Sequence, residues 1–323
     1  MIWNFTAAAG FPARPVLLTA PGAVFAVMVL FFAAAPLFIY PLFLMQVLCF
    51  ALFACAFNLL LGYVGLLSFG HAAFFGIAGY VCGHAAKVWG LTPELAIIVG
   101  SLAAIGLGIV IGALAIRRQG IYFAMITLAF AQMVYFYCVQ ARFTHGEDGI
   151  QGIPRGHLFG IVDLGHMTAI YVVVLAIFLA GFLLIYRIIH SPFGQVLKAI
   201  RENEARAVSL GYAVDRYKLI AFALSAGLSG LAGAADTLVF QLAALTNVHW
   251  TMSGEVVLMT LVGGLGTVFG PVVGAMIIVV MQQYLAELGS WVLVAQGAVF
   301  VVCVLAFRRG VVGELGYRTR TPL

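Results

Sequence analysis

The sequence predicts an all-α, polytopic membrane protein with about ten transmembrane helices and both termini in the cytoplasm. Of its 323 residues, 64% are hydrophobic and only 8% are charged, whereas a typical soluble domain carries about 25% charged residues. Apolar runs recur between residues 16 and 307, and runs of about 18 residues or more can cross a hydrocarbon core about 30 Å thick. A water-soluble globular fold is therefore excluded.

Charges, Gly/Pro pairs and polar clusters separate the candidate spans. The spans begin near Val16, Ile39, Leu66, Pro93, Gly120, His166, Tyr217, Met252, Pro271 and Ser290. The boundaries at residues 62–65 and 266–270 carry no charge, so one span more or one fewer remains open there. The division gives an N-terminal segment at residues 1–15, a transmembrane domain at residues 16–307 and a C-terminal tail at residues 308–323.

The distribution of Lys and Arg predicts the orientation, because basic residues near span ends are retained on the cytoplasmic side. With the N terminus inside, the external basic residues are Lys87, Arg142 and Arg155. The cytoplasmic ones are Arg14, Arg117, Arg118, Arg187, Lys198, Arg201, Arg206, Arg216, Lys218, Arg308, Arg309, Arg318 and Arg320. This asymmetry makes residues 142–165 an external loop and residues 191–216 a cytoplasmic segment.

No catalytic or metal-binding constellation is present in the sequence. The seven histidines are scattered, and neither H-E-x-x-H nor G-x-S-x-G occurs. The five cysteines are isolated within apolar runs and lack metal-ligand spacing. We therefore expect no catalytic residues, no metal site and no cofactor in this chain.

Glycine-rich segments in the two halves of the chain are the first candidate site. GYVGLLSFGH at residues 62–71 has a partial echo in GGLGTVFGP at residues 263–271, and glycine-interrupted segments in two halves point to a transporter's substrate path. A parallel repeat, a miscounted span and a chance similarity are the alternatives. The candidates for the path or its gate are Gly65, Phe69, Gly70, His71, Asp236, Glu255, Gly266 and Gly270.

Three ionisable residues within the spans have a packing interpretation as well as a functional one, since such residues are costly in the membrane. For His71 we favour a neutral ring hydrogen-bonded to a carbonyl freed by nearby glycines over a substrate contact. For Asp236 and Glu255, near the outer ends of their spans, we favour anchoring or packing over an outer gate. No deeper, paired acid is present, which counts against ion coupling.

The external loop contains THGEDGIQGIPRG at residues 144–156, which is too long for a simple turn. One interpretation is a solvated connector. The other is a surface for an external protein, in which Glu147, Asp148 and Arg155 form charge pairs across the contact.

The cytoplasmic segment is charged and helical in pattern. Ser191 is suited to capping the helix, Pro192 to its first position and Gly211 to the residue after its end. The apolar residues Phe193, Val196, Leu197, Ile200, Ala207 and Val208 fall on one face of a single amphipathic helix. The helix either lies on lipid headgroups or docks into a cytoplasmic partner.

Five sequence blocks, in order from about residue 60 to 307, resemble the branched-chain amino-acid permease family of ABC importers, in particular its LivM-type subunit. The blocks are GYVGLLSFGHAAFFGIAGY, GIYFAMITLAFAQ, DGIQGIP, SPFGQVLKAIRENEARAVSLG and LVGGLGTVFGPVVGA. The chain has no G-x-x-x-x-G-K phosphate loop, so ATP would have to be bound by another subunit.

The resemblance implies a permease subunit of the bacterial inner membrane that carries branched-chain or related hydrophobic amino acids. Its implied partners are a second homologous permease, two ATP-binding subunits that hold ATP and Mg, and a periplasmic solute-binding protein. It also implies an ATPase-coupling role for Gly194, Lys198, Arg201, Glu202, Glu204, Ala205 and Gly211. A urea or short-amide permease, an ion-coupled secondary transporter and a non-transporting scaffold are the alternatives.

Overall fold

The computed structural model describes residues 20–158, 160, 162–285, 291–306 and 310–319. Within this part the chain is predominantly helical, which confirms the predicted all-α class. The helices before the cytoplasmic segment are α1 (Ala20–Ala34), α2 (Pro41–Tyr63), α3 (His71–Lys87), α4 (Pro93–Ala115), α5 (Ile121–Gln140) and α6 (Met167–His190). After it come α9 (Val214–Phe240), α10 (Trp250–Gly263), α11 (Gly270–Leu285), α12 (Trp291–Ala306) and α13 (Gly310–Thr319).

Helices α1 to α6 and α9 to α12 begin within about five residues of the ten predicted span starts. Proline at the first helical position marks the starts of α2 and α4, at Pro41 and Pro93. Five helices, α2, α4, α5, α6 and α9, are both long and apolar enough to cross a membrane. A polytopic helical membrane protein is thus confirmed at the level of architecture, and the count of ten spans stays a prediction.

Helix α9 lies at the centre of the bundle and packs against α2, α3 and α4. Small residues make this approach possible: a Cβ on Gly108 of α4 would overlap the Ala226 side chain, and one on Gly230 would overlap Ala104. A Cβ on Gly233 would overlap the backbone of Phe75. Because lipid removes most of the hydrophobic drive for helix association, such close backbone contact is a main source of packing energy.

The predicted cytoplasmic helix is two helices, α7 (Pro192–Glu202) and α8 (Glu204–Ser209). Asn203 interrupts the run with an extended backbone (φ −157°, ψ 97°), and its side chain accepts a hydrogen bond from the Arg206 amide at 3.0 Å. Asparagine competes for backbone hydrogen bonds and is a strong helix N-cap. The prediction of one continuous helix is therefore wrong, although Ser191 and Pro192 begin α7 as expected.

In the described part of the chain, the end of the bundle that holds residues 142–165 contains two short strand pairs that the sequence did not predict. Strand β1 (Ile150–Gln151) pairs with β4 (Leu242–Ala243), and β2 (His157–Leu158) pairs with β3 (Val162–Asp163), both antiparallel. The first pair ties the loop after α5 to the chain that follows α9. Part of residues 142–165 is therefore ordered and packs on the end of α9, which a simple solvated connector would not do.

Candidate functional site

The two glycine-rich segments form turns at the same end of the bundle, next to α7. We call residues 64–70, between α2 and α3, the first glycine turn, and residues 264–269, between α10 and α11, the second. Gly65 and Gly266 have positive φ angles of 82° and 74°, a backbone region that L side chains adopt only with strain. Glycine at these two positions allows the chain to reverse direction tightly at each turn.

Asn58 of α2 holds the second glycine turn by both ends of its amide. Its Nδ2 donates to the Thr267 carbonyl at 2.9 Å, and its Oδ1 accepts from the Gly266 amide at 3.0 Å. The Asn58 side chain is 3% exposed, so its hydrogen bonds form away from water. Gly62, one turn further along α2, lies so close that a Cβ there would overlap Asn58.

Arg201 of α7 joins the cytoplasmic segment to both turns. Its Nη1 donates to the carbonyl of Gly62, and its side chain lies against Gly65 and Gly266. Gly62 is in the last turn of α2, where carbonyls lack helical partners, and a cation at a helix C terminus also interacts favourably with the helix dipole. Arg201, Gly65 and Gly266, which the sequence analysis assigned to two different sites, are therefore one contact cluster, the coupling cluster.

Hydroxyl groups satisfy the amides of the first turn and of the helix starts that follow both turns. The Phe69 amide donates to Thr127 Oγ1 of α5 at 3.1 Å, and the Ala72 amide donates to Ser253 of α10 at 2.9 Å. The Gly270 amide donates to Thr267 Oγ1 at 3.1 Å. Backbone outside helices must be satisfied by protein groups at membrane depth, so these contacts keep both turns ordered.

Gly194 and Glu204 have structural roles within the cytoplasmic segment. Gly194 is buried where a Cβ would overlap the carbonyls of Ile188 and Ile189, so glycine lets α7 turn sharply away from α6. Glu204 forms an ion pair with Lys218 at 2.6 Å, and the Lys218 side chain is only 3% exposed. Glu204 thus faces its own chain, and Lys218 is a partner that the sequence analysis missed.

The remaining predicted coupling residues differ in their exposure. Ala205, Gly211 and Glu202 are exposed and Lys198 is half-buried. Val208 was predicted on the apolar inner face, but it is 57% exposed, beside exposed Leu210. The break at Asn203 rotates α8 relative to α7, which is why a single helical wheel misplaced Val208. Exposed apolar side chains of this kind suit contact with a partner.

His71 is the first residue of α3 and is fully buried, with an exposed fraction of 0%. Its Nε2 lies 2.8 Å from Ser225 Oγ of α9, and Ser225 donates its hydroxyl proton to the Ala56 carbonyl of α2 at 2.6 Å. His71 Nε2 must therefore be the donor to Ser225. The predicted partner, a carbonyl freed by glycine, is wrong: a serine hydroxyl relays the bond and joins three helices.

The two membrane acids each bond to a side-chain amide near the predicted outer end of the bundle. Asp236, four residues before the end of α9, accepts from Asn247 at 3.3 Å, and Glu255 of α10 accepts from Gln282 of α11 at 2.9 Å. Glu255 lies in the second turn of α10. These contacts are those expected of anchoring residues.

The three residues predicted for an external docking surface separate into two kinds. Glu147 and Asp148 are exposed. Arg155 instead donates from Nη2 to the Val239 carbonyl at 2.7 Å and from Nε to the Leu238 carbonyl at 3.4 Å. Its charge is directed at the C terminus of α9, and its charge pair with an external partner stays a prediction.

A cavity of about 590 Å³ opens beside the coupling cluster. Its wall combines the ends of α2 and α6 with α7 and the second glycine turn, and Lys198 lies 5.8 Å above the Tyr63 ring. The residues that line it are Tyr63, Tyr186, Ile189, His190, Lys198, Arg201, Glu202, Gly266, Val268 and Phe269. Among the residues that the structure describes, no group of three or more His, Cys, Asp or Glu is placed to hold a metal.

Residues 39–306 match the protein family described as branched-chain amino acid transport system, permease component. The high-affinity branched-chain amino acid transport system permease protein LivM of Escherichia coli is 25% identical over 271 residues, which cover 77% of this chain and 64% of that protein. The ribose import permease protein RbsC of Bacillus subtilis is 30% identical over 231 residues, which cover 69% of this chain and 70% of that protein.

A third relative, the probable branched-chain amino acid transport permease protein LivM of Methanocaldococcus jannaschii, is 29% identical over 199 residues, or 59% of this chain and 55% of the relative. The chain thus spans less than two thirds of the length of the LivM relatives it matches. No solved structure matches the chain.

Proposed function

Because this chain belongs to the family of branched-chain amino acid transport permease components, we propose that it is a membrane subunit of an ATP-driven importer for branched-chain or related hydrophobic amino acids. It is a multi-pass protein of the inner membrane and a transporter subunit, not an enzyme. In the proposal it crosses the membrane ten times with both termini in the cytoplasm, and the cytoplasmic segment meets the ATP-binding subunits.

The observation that carries the proposal is the contact of Arg201 with both glycine turns. A movement of α7 at the ATPase surface would act directly on the α2–α3 and α10–α11 connections, without passing through the middle of the bundle. Asn58 extends the same contact, because it bonds the second turn to α2. Coupling in this scheme runs through hydrogen-bonded elements that can take two arrangements.

The proposed cycle is alternating access. Closure of two partner ATPases, which would hold ATP and Mg, displaces the cytoplasmic segments of this chain and of a second homologous permease. The glycine contacts then repack and open a path to the other side. A periplasmic solute-binding protein would deliver the substrate, and exposed Glu147 and Asp148 are the residues of this chain proposed to meet it.

A sugar is an alternative to an amino acid as the substrate, since the relative that is 30% identical is a ribose import permease protein. A urea or short-amide substrate is a further alternative. An ion-coupled mechanism is disfavoured because Asp236 and Glu255 each bond an amide at one end of the bundle, whereas coupling calls for acids on the ion's pathway.

The test is uptake by vesicles that contain the chain, its second permease and the ATPases. We expect uptake of labelled leucine that requires internal ATP and the binding protein and that persists when ion gradients are collapsed. Uptake that continues without ATP and stops with the gradient would overturn the proposal. Uptake of ribose or urea in preference to leucine would replace the substrate class and leave the mechanism in place.

A further inference from the structure

We propose that the cavity beside the coupling cluster is a binding site for a free zwitterionic amino acid with an aliphatic side chain, and that the site senses the transported product from the cytoplasm. This inference rests on the proposed function for its orientation and its substrate class. It adds a ligand site that is separate from the path through the spans.

The size of the cavity and its boundaries suit a small molecule. Its volume of about 590 Å³ lies within the range of small-molecule sites, about 300 to 1,000 Å³. The walls come from α2, α6, α7 and the second glycine turn, so a ligand in it would touch four elements at once. By contrast, the cavity of about 360 Å³ between α1 and α11 has an entirely apolar lining and has no polar group to orient a zwitterion.

The charges on the wall match the two charged groups of an amino acid. Lys198, Arg201 and Glu202 are spaced three and four residues apart and therefore share one face of α7. Lys198 and Arg201 supply donors for a carboxylate, and Glu202 supplies an acceptor for an ammonium group. Within the described part of the chain, neither Lys198 nor Glu202 has an ion-pair partner, and Arg201 uses one of its N–H groups on Gly62.

The opposite wall matches an aliphatic side chain. Ile189 and Phe269 are buried there beside half-buried Val268. Burying an aliphatic side chain against such apolar groups is favourable. A polyol such as ribose would gain little from this wall and would leave the three charges without counterparts.

The position of the site means that a bound ligand would affect the transport cycle. A ligand held between α7 and the second glycine turn stabilises the arrangement in which these elements are close. Any step of the cycle that moves them apart is then opposed by the ligand's differential affinity for the two states. Accumulated product would therefore slow further import.

The experiment measures binding of labelled leucine to the purified complex of both permeases and the ATPases, without the binding protein. Two analogues of leucine each lack one of its charges: 4-methylpentanoate lacks the ammonium group, and leucinamide lacks the carboxylate. The variants are Glu202→Gln and Lys198→Met, and the control is Arg206→Gln, an exposed residue of α8 outside the cavity.

For the unmodified complex and for Arg206→Gln, we expect each analogue to bind about tenfold or more weakly than leucine, as the loss of one charged contact of about 1.4 kcal/mol or more predicts. In Glu202→Gln the preference over 4-methylpentanoate should disappear while the preference over leucinamide remains. In Lys198→Met the preference over leucinamide should shrink, because Arg201 alone then faces the carboxylate, while the preference over 4-methylpentanoate remains. Unchanged selectivity in both variants would overturn the proposal, because binding would then lie elsewhere.

A second arm separates the failure of this inference from the failure of the proposed function. Vesicles are loaded with leucine, ribose or buffer, and ATP-driven import is measured. We expect internal leucine to lower the initial rate several-fold and ribose to have no effect. Normal import with no effect of internal leucine would overturn product sensing alone, whereas absence of ATP-driven import would overturn the proposed function.

Phosphatidylethanolamine carries a similar charge pair, so loss of leucine binding on adding this lipid would assign the site to a headgroup.

Discussion

Two arginines of this chain perform the same local chemistry at opposite ends of the bundle. Arg201 donates to a carbonyl in the last turn of α2, and Arg155 donates to carbonyls in the last turn of α9. Both thereby satisfy carbonyls that lack a helical partner and place a cation where the helix dipole favours it. The difference lies in what holds each arginine.

Arg155 belongs to a segment with several bonds to the same helix end. The Ile153 amide donates to the Gln241 carbonyl at 3.2 Å, Gln241 Nε2 donates to the Ile153 carbonyl at 3.1 Å, and β1 pairs with β4 nearby. Arg201 makes the only hydrogen bond between α7 and α2 in the described part of the chain. The comparison teaches that several hydrogen bonds hold the contact at Arg155, which we call the clamp, whereas one hydrogen bond, from Arg201, joins α7 to α2, which we call the link.

The largest effect on stability is expected at the inner end, from Asn58→Leu. The similar-sized apolar side chain leaves the Gly266 amide and the Thr267 carbonyl without partners, at about 1 to 3 kcal/mol for each buried group. Thermal unfolding of the purified protein in detergent should show a clearly lowered transition. Gln46→Leu, on the same helix and without a hydrogen bond in the described part of the chain, is the control. Equal transitions for the two variants would show that Asn58 does not stabilise the second glycine turn.

Glu204→Gln should destabilise the protein next most strongly, by about 2 kcal/mol, because it leaves the buried Lys218 ammonium without its counter-charge. Glu202→Gln is the matched control, as Glu202 is exposed. The double variant Glu204→Gln with Lys218→Met should recover much of the lost stability, measured again by thermal unfolding. A double variant less stable than Glu204→Gln alone would show that Lys218 acts through another contact.

At the outer end, Arg155→Gln should cost about 1 to 2 kcal/mol, since the loss of hydrogen bonds from a charged donor is partly offset by the neighbouring strand pair. Arg142→Gln, an exposed external arginine, serves as the reference. ATP-driven import per protein should be nearly unchanged in both. A loss of import as large as that caused by changes at Arg201 would contradict the distinction between clamp and link.

The smallest effect on the protein itself is expected from Glu147→Lys combined with Asp148→Lys, because both side chains are exposed. Stability should stay within about 0.5 kcal/mol. Stimulation of ATP hydrolysis by the binding protein should fall, and it should fall more at low salt, where charge contacts are less screened. Unaltered stimulation would leave this loop without a docking role.

Local features of the sequence predicted much of the fold. Apolar runs of membrane length, and the charges, Gly/Pro pairs and polar clusters between them, located the helices, because each of these signals acts within a short stretch of the chain. For the coupling cluster, the sequence indicated the residues but not the contact between them. Arg201, Gly65 and Gly266 were selected, but their mutual contact depends on residues up to about 200 positions apart in the chain.

Asn58 was missed although a signal was present: a single asparagine within the otherwise apolar second half of α2, where unpaired polar groups are costly. The interruption at Asn203 and the strand pairs were missed because a helical wheel assumes one continuous axis and two-residue strands have no periodicity. The contact of Arg155 with α9 was missed because a charge in a loop was assumed to face solvent. In each case the deciding contact is tertiary.

The central claim is that the link between Arg201 and the glycine turns couples ATP hydrolysis to transport. The most direct measurement is the number of leucine molecules imported per ATP hydrolysed in vesicles for Arg201→Gln, with the exposed Arg206→Gln as control. We expect Arg201→Gln to assemble and to hydrolyse ATP at close to the normal rate while import per ATP falls about tenfold. Arg206→Gln should keep the normal ratio. A normal ratio in Arg201→Gln would contradict the account.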